Sequence, residues 1–290
     1  MNILEYENYQ EKKEHTTLEF PYNTYLCSVP LDFELVPPHW HDEIEIIYIK
    51  KGQGIVTVDF KEYHVSALTL VFILPGQLHS IAQYKDESME YENIIFDHTM
   101  LVPKKSDSVN EDFLKPLTQG KITVPTVFSQ VYPYFNDIVA PIDACDEICK
   151  TKPQGYQLYI KSMLYQFFFI LDNRCRNLVT PKKDRKTIDK MKIVIKYVEN
   201  NYANKITIAE IADVIGFSES HFMRYFKETM GTSFIEYLKD YRLTMAARLL
   251  QSSDDAILDI SVEVGFDNLS YFNRSFKARY GMTPRQYRKN

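Results

Sequence analysis

The chain has 290 residues, 45% of them hydrophobic, a net charge of −5 and four cysteines. That length suits two domains with cores of their own, and its apolar runs, residues 167–171 among them, are far shorter than the ~20 residues that cross a bilayer. The charge is uneven: residues 1–180 carry 15 Lys and Arg against 25 Asp and Glu, and residues 181–290 carry 19 against 14. A polyanionic partner is therefore expected at the carboxyl-terminal part only.

Residues 1–7 hold no basic stretch leading into an apolar one, so no signal peptide and a cytoplasmic protein are expected. Cys27, Cys145, Cys149 and Cys175 form no CxxC pair, and Cys145 and Cys149 share a helix face. They read as free or buried thiols rather than as a disulfide or zinc framework.

From about residue 20 to 100 short β-branched and aromatic runs follow one another, at 44–49, 54–58, 63–65 and 70–74. Residues 51–54 and the pair Pro75-Gly76 punctuate them. This spacing predicts a small sandwich or barrel, assigned to residues 1–125. Residues 39–47 read as one strand. Its alternation puts His39, His41, Glu43, Glu45 and Ile47 on one face and Trp40, Ile44 and Ile46 on the other. The second face reads as packing. The first must meet water or line a pocket.

Residues 126–176 turn helical, with Tyr156, Tyr159, Ile160, Met163, Leu164, Phe167, Phe168 and Leu171 at three-and-four spacing. That aromatic face either packs on the β domain or forms a homodimer seam. Residues 177–187 are polar and charged and read as a linker.

The tail, residues 188–290, contains one unit written twice. Ile188, Met191, Val194, Ile195 and Val198 make an apolar helix face ahead of it. Thr207 with Glu210 is a capping-box pattern. Ile208, Ile211, Ala212 and Ile215 are the buried side of a short helix, and Gly216 ends it. Ser218 caps a second helix that buries Phe222 and Phe226. The second copy has Ile257, Ile260 and Val264 buried, Gly265 at the turn, Asp267 as cap, and Phe272 and Phe276 as anchors. The offset is 49 residues up to the Gly-Phe pair and 50 after it. A long helix from Ser233 to Leu250 joins the copies. Each copy predicts a helix-turn-helix, whose second helix enters the major groove.

The run Gly265-Phe266, Phe272, Arg274, Phe276-Lys277, Gly281, Thr283-Pro284, Tyr287-Arg288 resembles the DNA-binding domain of AraC/XylS transcription regulators over residues 188–290. The resemblance implies that Arg224 and Arg274 reach base edges, as arginine does at guanine. Ser220, His221, Met223, Leu269, Ser270 and Asn273 also avoid the phenylalanine faces. Ser218, Lys227, Lys277 and Thr283 read as phosphate contacts, which position without reading sequence.

His39, His41 and Glu45, followed by Gly52 and then Pro75-Gly76 and His79, resemble the signature segments of the cupin fold. In metal-binding cupins such positions supply three histidines and a glutamate, a set that suits Fe, Mn, Ni or Zn. Sensor domains on AraC-type tails also resemble this segment and take organic effectors. His39, His41, Glu43, Glu45 and His79 are accordingly read as lining a pocket for a small polar effector such as a sugar. No cofactor, metal or catalytic residue is assigned.

The resulting expectation is an α+β multidomain protein: a cupin-like β-barrel followed by helices, then an all-α domain with two helix-turn-helix motifs. It acts as an effector-controlled transcriptional regulator, more in keeping with an activator, and not as an enzyme. Its expected partners are double-stranded promoter DNA, a second copy of itself and, in activation, RNA polymerase, with no membrane. Two competing readings are a metal-dependent cupin enzyme with an assembly tail and a helical interaction protein without a DNA role.

Overall fold

Residues 20–32, 35–178 and 185–288 are described by a computed structural model. The expectation for residues 1–7, much of the 177–187 linker and the side chain of Ile188 lie outside the described residues. The chain forms two compact units, one within residues 10–183 and one within 184–290.

The first unit is built on seven strands: β1 (Tyr22–Val29), β2 (Leu35–His39), β3 (Ile44–Val58), β4 (Lys61–Ser66), β5 (Thr69–Ile73), β6 (His79–Gln83) and β7 (Met89–Phe96). All pairings are antiparallel. The first half of β3 lies between β5 and β7, and its second half lies between β4 and β6. β1 extends one layer beyond β7, and β2 extends the other beyond β6. One strand thus serves both layers of a cupin-like barrel.

After the barrel come α1 (Lys115–Thr118), β8 (Ile122–Thr123), β9 (Val127–Ser129), α2 (Phe135–Thr151), α3 (Tyr156–Ile170) and β10 (Asn177–Leu178). Ile44, Ile46 and Tyr48 of β3 share a core with Ile138 and Ile142 of α2 and with Ile160, Leu164, Phe167 and Phe168 of α3. The Phe167 ring meets Phe72 edge-on at 5.6 Å, and Phe168 meets Phe96 at 6.3 Å. Full burial of each such side chain contributes about 1.5–3 kcal/mol. The predicted helix face therefore packs on the sheet, with Tyr159 left exposed at its edge.

Three expectations need correction. Residues 39–47 are not one strand: β2 ends at His39, a bend follows, and β3 begins at Ile44. Pro37 and Pro38 have no N–H to donate to a ladder, and the β2–β6 register shifts between Val36 and His39. Residues 51–54 do not break a strand. β3 runs through them with a register shift between Ile49 and Lys51, which bends it from one layer to the other. Residues 127–129 are the strand β9 beside β5, and the helices begin only at Phe135.

The second unit is helical: α4 (Arg185–Asn201), α5 (Ile208–Val214), α6 (Glu219–Met230), α7 (Phe234–Ser252), α8 (Ile257–Glu263), α9 (Leu269–Tyr280) and α10 (Pro284–Tyr287). α4 buries Met191, Val194, Ile195 and Val198. Thr207 and Glu210 close the capping box on α5. Ile211, Ala212, Ile215, Ile260 and Val264 are buried, whereas Ile208 and Ile257 are only partly covered. The 19 residues of α7 make a rod of about 28 Å between two helix-turn-helix motifs, α5–α6 and α8–α9. No helix among the described residues is long and apolar enough to cross a membrane.

The two turn glycines share a left-handed backbone, with φ of 69° at Gly216 and 87° at Gly265. Their surroundings differ. A Cβ on Gly216 would meet nothing within 4 Å, but one on Gly265 would lie 2.8 Å from the carbonyl oxygens of Tyr202 and Ala203. Arg242 ties those elements together, donating from Nε to Tyr202 O and from a terminal nitrogen to Asn204 O, each at 2.8 Å. Gly216→Ala should cost about 1–2 kcal/mol, the left-handed penalty alone. Gly265→Ala should cost a further ~1–3 kcal/mol of overpacking. Urea denaturation of the two variants checks the order, and equal losses would refute the close approach at Gly265.

Candidate nucleic-acid interface and sensor cluster

Each second helix is held by two phenylalanines four residues apart. Phe222 and Phe226 are fully buried and surround Phe234 at 5.2 and 5.4 Å. Phe272 and Phe276 are buried likewise, packed on Phe266 at 5.2 Å and on Tyr280 at 4.5 Å. With those positions inward, helical spacing turns residues 220, 223, 224 and 227 outward, and their counterparts 50 residues later. Ser220, His221, Met223, Arg224 and Lys227 are exposed, as are Ser270, Arg274 and Lys277. Leu269 and Asn273 are partly covered. Among the described residues, neither Arg224 nor Arg274 makes a hydrogen bond or ion pair. These two guanidinium groups are not spent on internal structure, unlike that of Arg279 on α9, which donates to Asp240 O and Thr244 Oγ1.

Helix starts are set by side-chain caps. Ser218 Oγ accepts from His221 N at 3.3 Å. Thr283 accepts from Gln286 N at 3.4 Å and donates to Gln286 Oε1 at 2.8 Å, so its hydroxyl serves the cap of α10. On α9 the cap is Asn268, whose Oδ1 accepts from Tyr271 N at 2.8 Å, and not Asp267 as the sequence suggested. α6 starts directly after its cap at Ser218, next to Phe217, whereas Asp267 intervenes between Phe266 and Asn268. Asp267 is the extra residue that changes the repeat offset from 49 to 50.

That offset also exposes a missed position. Tyr271, 48% exposed, occupies on α9 the place of His221 on α6. Aligning the copies after the insertion would have found it. His221 itself stacks on Phe217 with ring centres 4.0 Å apart, and Lys190 Nζ lies 4.1 Å from the same ring. α4 thus reaches the start of the first recognition helix.

In the first unit four of the five predicted residues converge. One ligand atom from each of His39, His41, Glu45 and His79 lies within 4.8 Å of the others. His39 and His79 face each other across β2 and β6, with rings 4.1 Å apart. Glu45 comes from β3. His41 sits in the bend between β2 and β3, where Gly76 N donates to its carbonyl at 2.8 Å. Glu45 Oε2 is 2.8 Å from Nε2 of both His41 and His79. Glu43 stands outside the four, its carboxylate 3.4 Å from His41 Nδ1.

Burial is deep: Glu45 is 2% exposed and His79 1%. Burial would raise the Glu45 carboxyl, but the charge of His79 and the hydrogen bonds from His41 and His79 outweigh it and hold the group well below the usual carboxylate range. Burial, then the neighbouring His79, keep the His39 imidazole well below the ordinary value. For His41 burial acts downward, but Glu45 and then Glu43 overcome it and raise the imidazole.

Both units resemble known proteins. Residues 211–290 match a family model described as a helix-turn-helix domain, and residues 31–103 match one described as an AraC-like ligand binding domain. The chain is 27% identical to the uncharacterized HTH-type transcriptional regulator YdeC of Bacillus subtilis strain 168, over 99% of this chain and 98% of that one. It is 31% identical to the bifunctional transcriptional activator/DNA repair enzyme AdaA of the same organism over 40% of this chain, spanning about half (53%) of that relative. Among solved structures it is similar to ToxT from Vibrio cholerae, with a TM-score of 0.49, 16% identity, and coverage of 92% of this chain and 98% of that one.

The cap assignment is open to a direct measurement. Asn268→Ala should lower stability by about 1 kcal/mol, while Asp267→Ala should stay within ~0.5 kcal/mol of the parent. Thermal or denaturant unfolding of both variants distinguishes them, and the reverse order would return the cap to Asp267.

Proposed function

This chain belongs to the AraC family of transcriptional regulators, and on that premise we propose that it reads two unlike DNA segments per subunit under control of its amino-terminal ligand-binding unit. The observation that carries this reading is the pair Arg224 and Arg274, equivalent, exposed and without a partner among the described residues. In this reading both arginines meet base edges, with His221, Met223 and Ser220 on α6 and Leu269, Ser270 and Asn273 on α9 as neighbouring readers. Lys227 and Lys277, one turn further along, meet phosphates with Ser218 and Thr283. Tyr271 joins the second reading surface by its place in the repeat.

The effector is a small polar molecule held at His39, His41, Glu43, Glu45 and His79, and it acts by binding two DNA-affinity states unequally. A sugar was the sequence-level expectation. The mutual 2.8 Å contacts around Glu45 favour a compact ligand there over a ring of hydroxyls. The functional protein is a cytoplasmic homodimer without enzymatic activity that activates transcription together with RNA polymerase. Leu158, Tyr165 and Phe169, exposed along one side of α3, support the dimer. The domain limits follow the same reading: 1–125 sensor, 126–176 helical packing and dimerisation, 177–187 linker, 188–290 DNA-binding.

The test is titration of a duplex selected from a random pool against a scrambled one, with fluorescence anisotropy as readout. Arg224→Ala and Arg274→Ala should each reduce discrimination by about 1–3 kcal/mol, or roughly 5–150-fold. Lys227→Ala and Lys277→Ala should weaken both duplexes alike and reduce the slope of log K against log salt by about one each. Unchanged discrimination in the arginine variants would refute their assignment as readers.

A further inference from the structure

The two helix-turn-helix motifs share a scaffold but differ in how one exposed ring is held. In the first, Phe217 stands just before α6 and is only partly buried. His221 stacks on it with ring centres 4.0 Å apart and planes 26° apart. Lys190 Nζ of α4 lies over the same ring, 4.1 Å from its centre. Two groups at these distances cannot share one face, so the ammonium and the imidazole cover opposite faces. Tyr225, one turn after His221, meets the Phe217 ring edge-on at 5.1 Å. The ring is thereby enclosed on both faces and at one edge.

The two supports of Phe217 are themselves tied to backbone. Lys190 Nζ donates to Ile215 O, the last carbonyl before the turn at Gly216. Tyr225 Oη donates at 2.6 Å to Thr187 O, one turn ahead of Lys190 on α4. An ammonium held over an aromatic face is attracted by the ring quadrupole, and the bond to Ile215 keeps it there. The second motif is built otherwise. Phe266, the counterpart of Phe217, is buried beside Phe272. Its ring lies 6.0 Å from that of Tyr271 and is tilted by 50°, so Tyr271 is not stacked on it. Ser275 stands where the first motif has Tyr225. An immobilised side chain has already lost its rotamer freedom and does not lose it again on binding. A neutral imidazole donates from one nitrogen and accepts at the other, so its orientation decides which base edge it matches.

We propose that Lys190 is a positioning residue for DNA reading: together with Tyr225 it holds Phe217 as a platform that presets the His221 imidazole for a base edge. His221 is then the rigid reader of the first motif, and Tyr271 is its adaptable counterpart in the second. Lys190 touches no base in this arrangement, because its charge is engaged by the Phe217 ring and Ile215 O. The proposal rests on the reading of α6 as a recognition helix.

The test uses the full chain on its selected duplex, with each base pair changed in turn and anisotropy as readout. His221→Ala identifies the base pairs that His221 reads. Lys190→Met keeps the stem and removes the cation. It should lose about 2–10-fold in discrimination at those same base pairs. The double variant should lose no more than His221→Ala alone, whereas Lys190→Met should add independently to Tyr271→Ala. Lys190→Arg, whose cation also stacks on aromatic rings, should keep the parent profile. Tyr225→Phe keeps the ring and drops the hydroxyl. It should act in the same direction, and it carries the test if circular dichroism shows Lys190→Met unfolded. In proton spectra the His221 ring signals, assigned by their loss in His221→Ala, should shift in Lys190→Met as the ring leaves the face of Phe217. Signals that stay in place, or additive losses from Lys190→Met and His221→Ala, would overturn the proposal. So would a slope of log K against log salt lower by about one with every base pair weakened alike, since Lys190 would then be a phosphate contact. A profile flattened by Arg224→Ala and untouched by His221→Ala overturns this proposal and leaves the reading of α6 in place. A profile that neither variant flattens removes that reading as well.

Discussion

The amino-terminal unit depends on the backbone ladder of β3. Fifteen residues hydrogen-bond to four other strands, two in each layer. Side chains alternate along a strand, so a slip of one residue would turn Glu45 onto the helical core and Ile44 or Ile46 into the cluster. Residues 44–49 are all buried, which fixes the register from both faces. The place of the buried carboxylate is therefore decided by isoleucines that take no part in its chemistry. His41 and His79 make that burial tolerable, because removing a partner would leave an uncompensated charge.

The helical unit uses duplication to make two surfaces with the same scaffold and different exposed side chains. Phenylalanines at equivalent positions set the same face of α6 and α9 inward, and Ser220, Arg224 and Lys227 recur as Ser270, Arg274 and Lys277. Glu219, His221 and Met223 become Leu269, Tyr271 and Asn273. The inserted Asp267 moves the cap by one residue without changing helix length, since both helices have 12 residues. The turns have also diverged: Gly216 answers only a backbone conformation, whereas Gly265 admits two carbonyls from the α4–α5 connection. The second turn is thus part of the packing between motifs, and the first is not.

Much of this was legible before any coordinates. The helix-turn-helix pairs, the capping box at Thr207 and Glu210, the long α7 and the cap at Ser218 follow from short-range patterns that act within a few residues. The four cluster residues were legible through their spacing and through a family resemblance. The bend at residues 40–43, the passage of β3 through Lys51 to Gly54 and the strand β9 were not. Each depends on which distant strand supplies the hydrogen bonds, and β9 in particular exists by pairing with β5. The cap at Asn268 was misread because Asp and Asn are both good caps and only the path of the chain after Gly265 selects between neighbours.

The sequence by itself determined the two-part architecture, the duplicated helix-turn-helix scaffold and the residue types of the histidine–glutamate cluster, because local periodicity and chemical identity carry that information. Only the tertiary structure decided what those residue types do together. Glu45 takes two histidine nitrogens on one oxygen, and the outer nitrogens of His39 and His79 are held by the carbonyls of Pro37 and Gln77. Those carbonyls belong to the backbone, which is the same at every position and leaves no mark in the order of the residues. The gathering of three imidazoles around one carboxylate arises from where the fold points them.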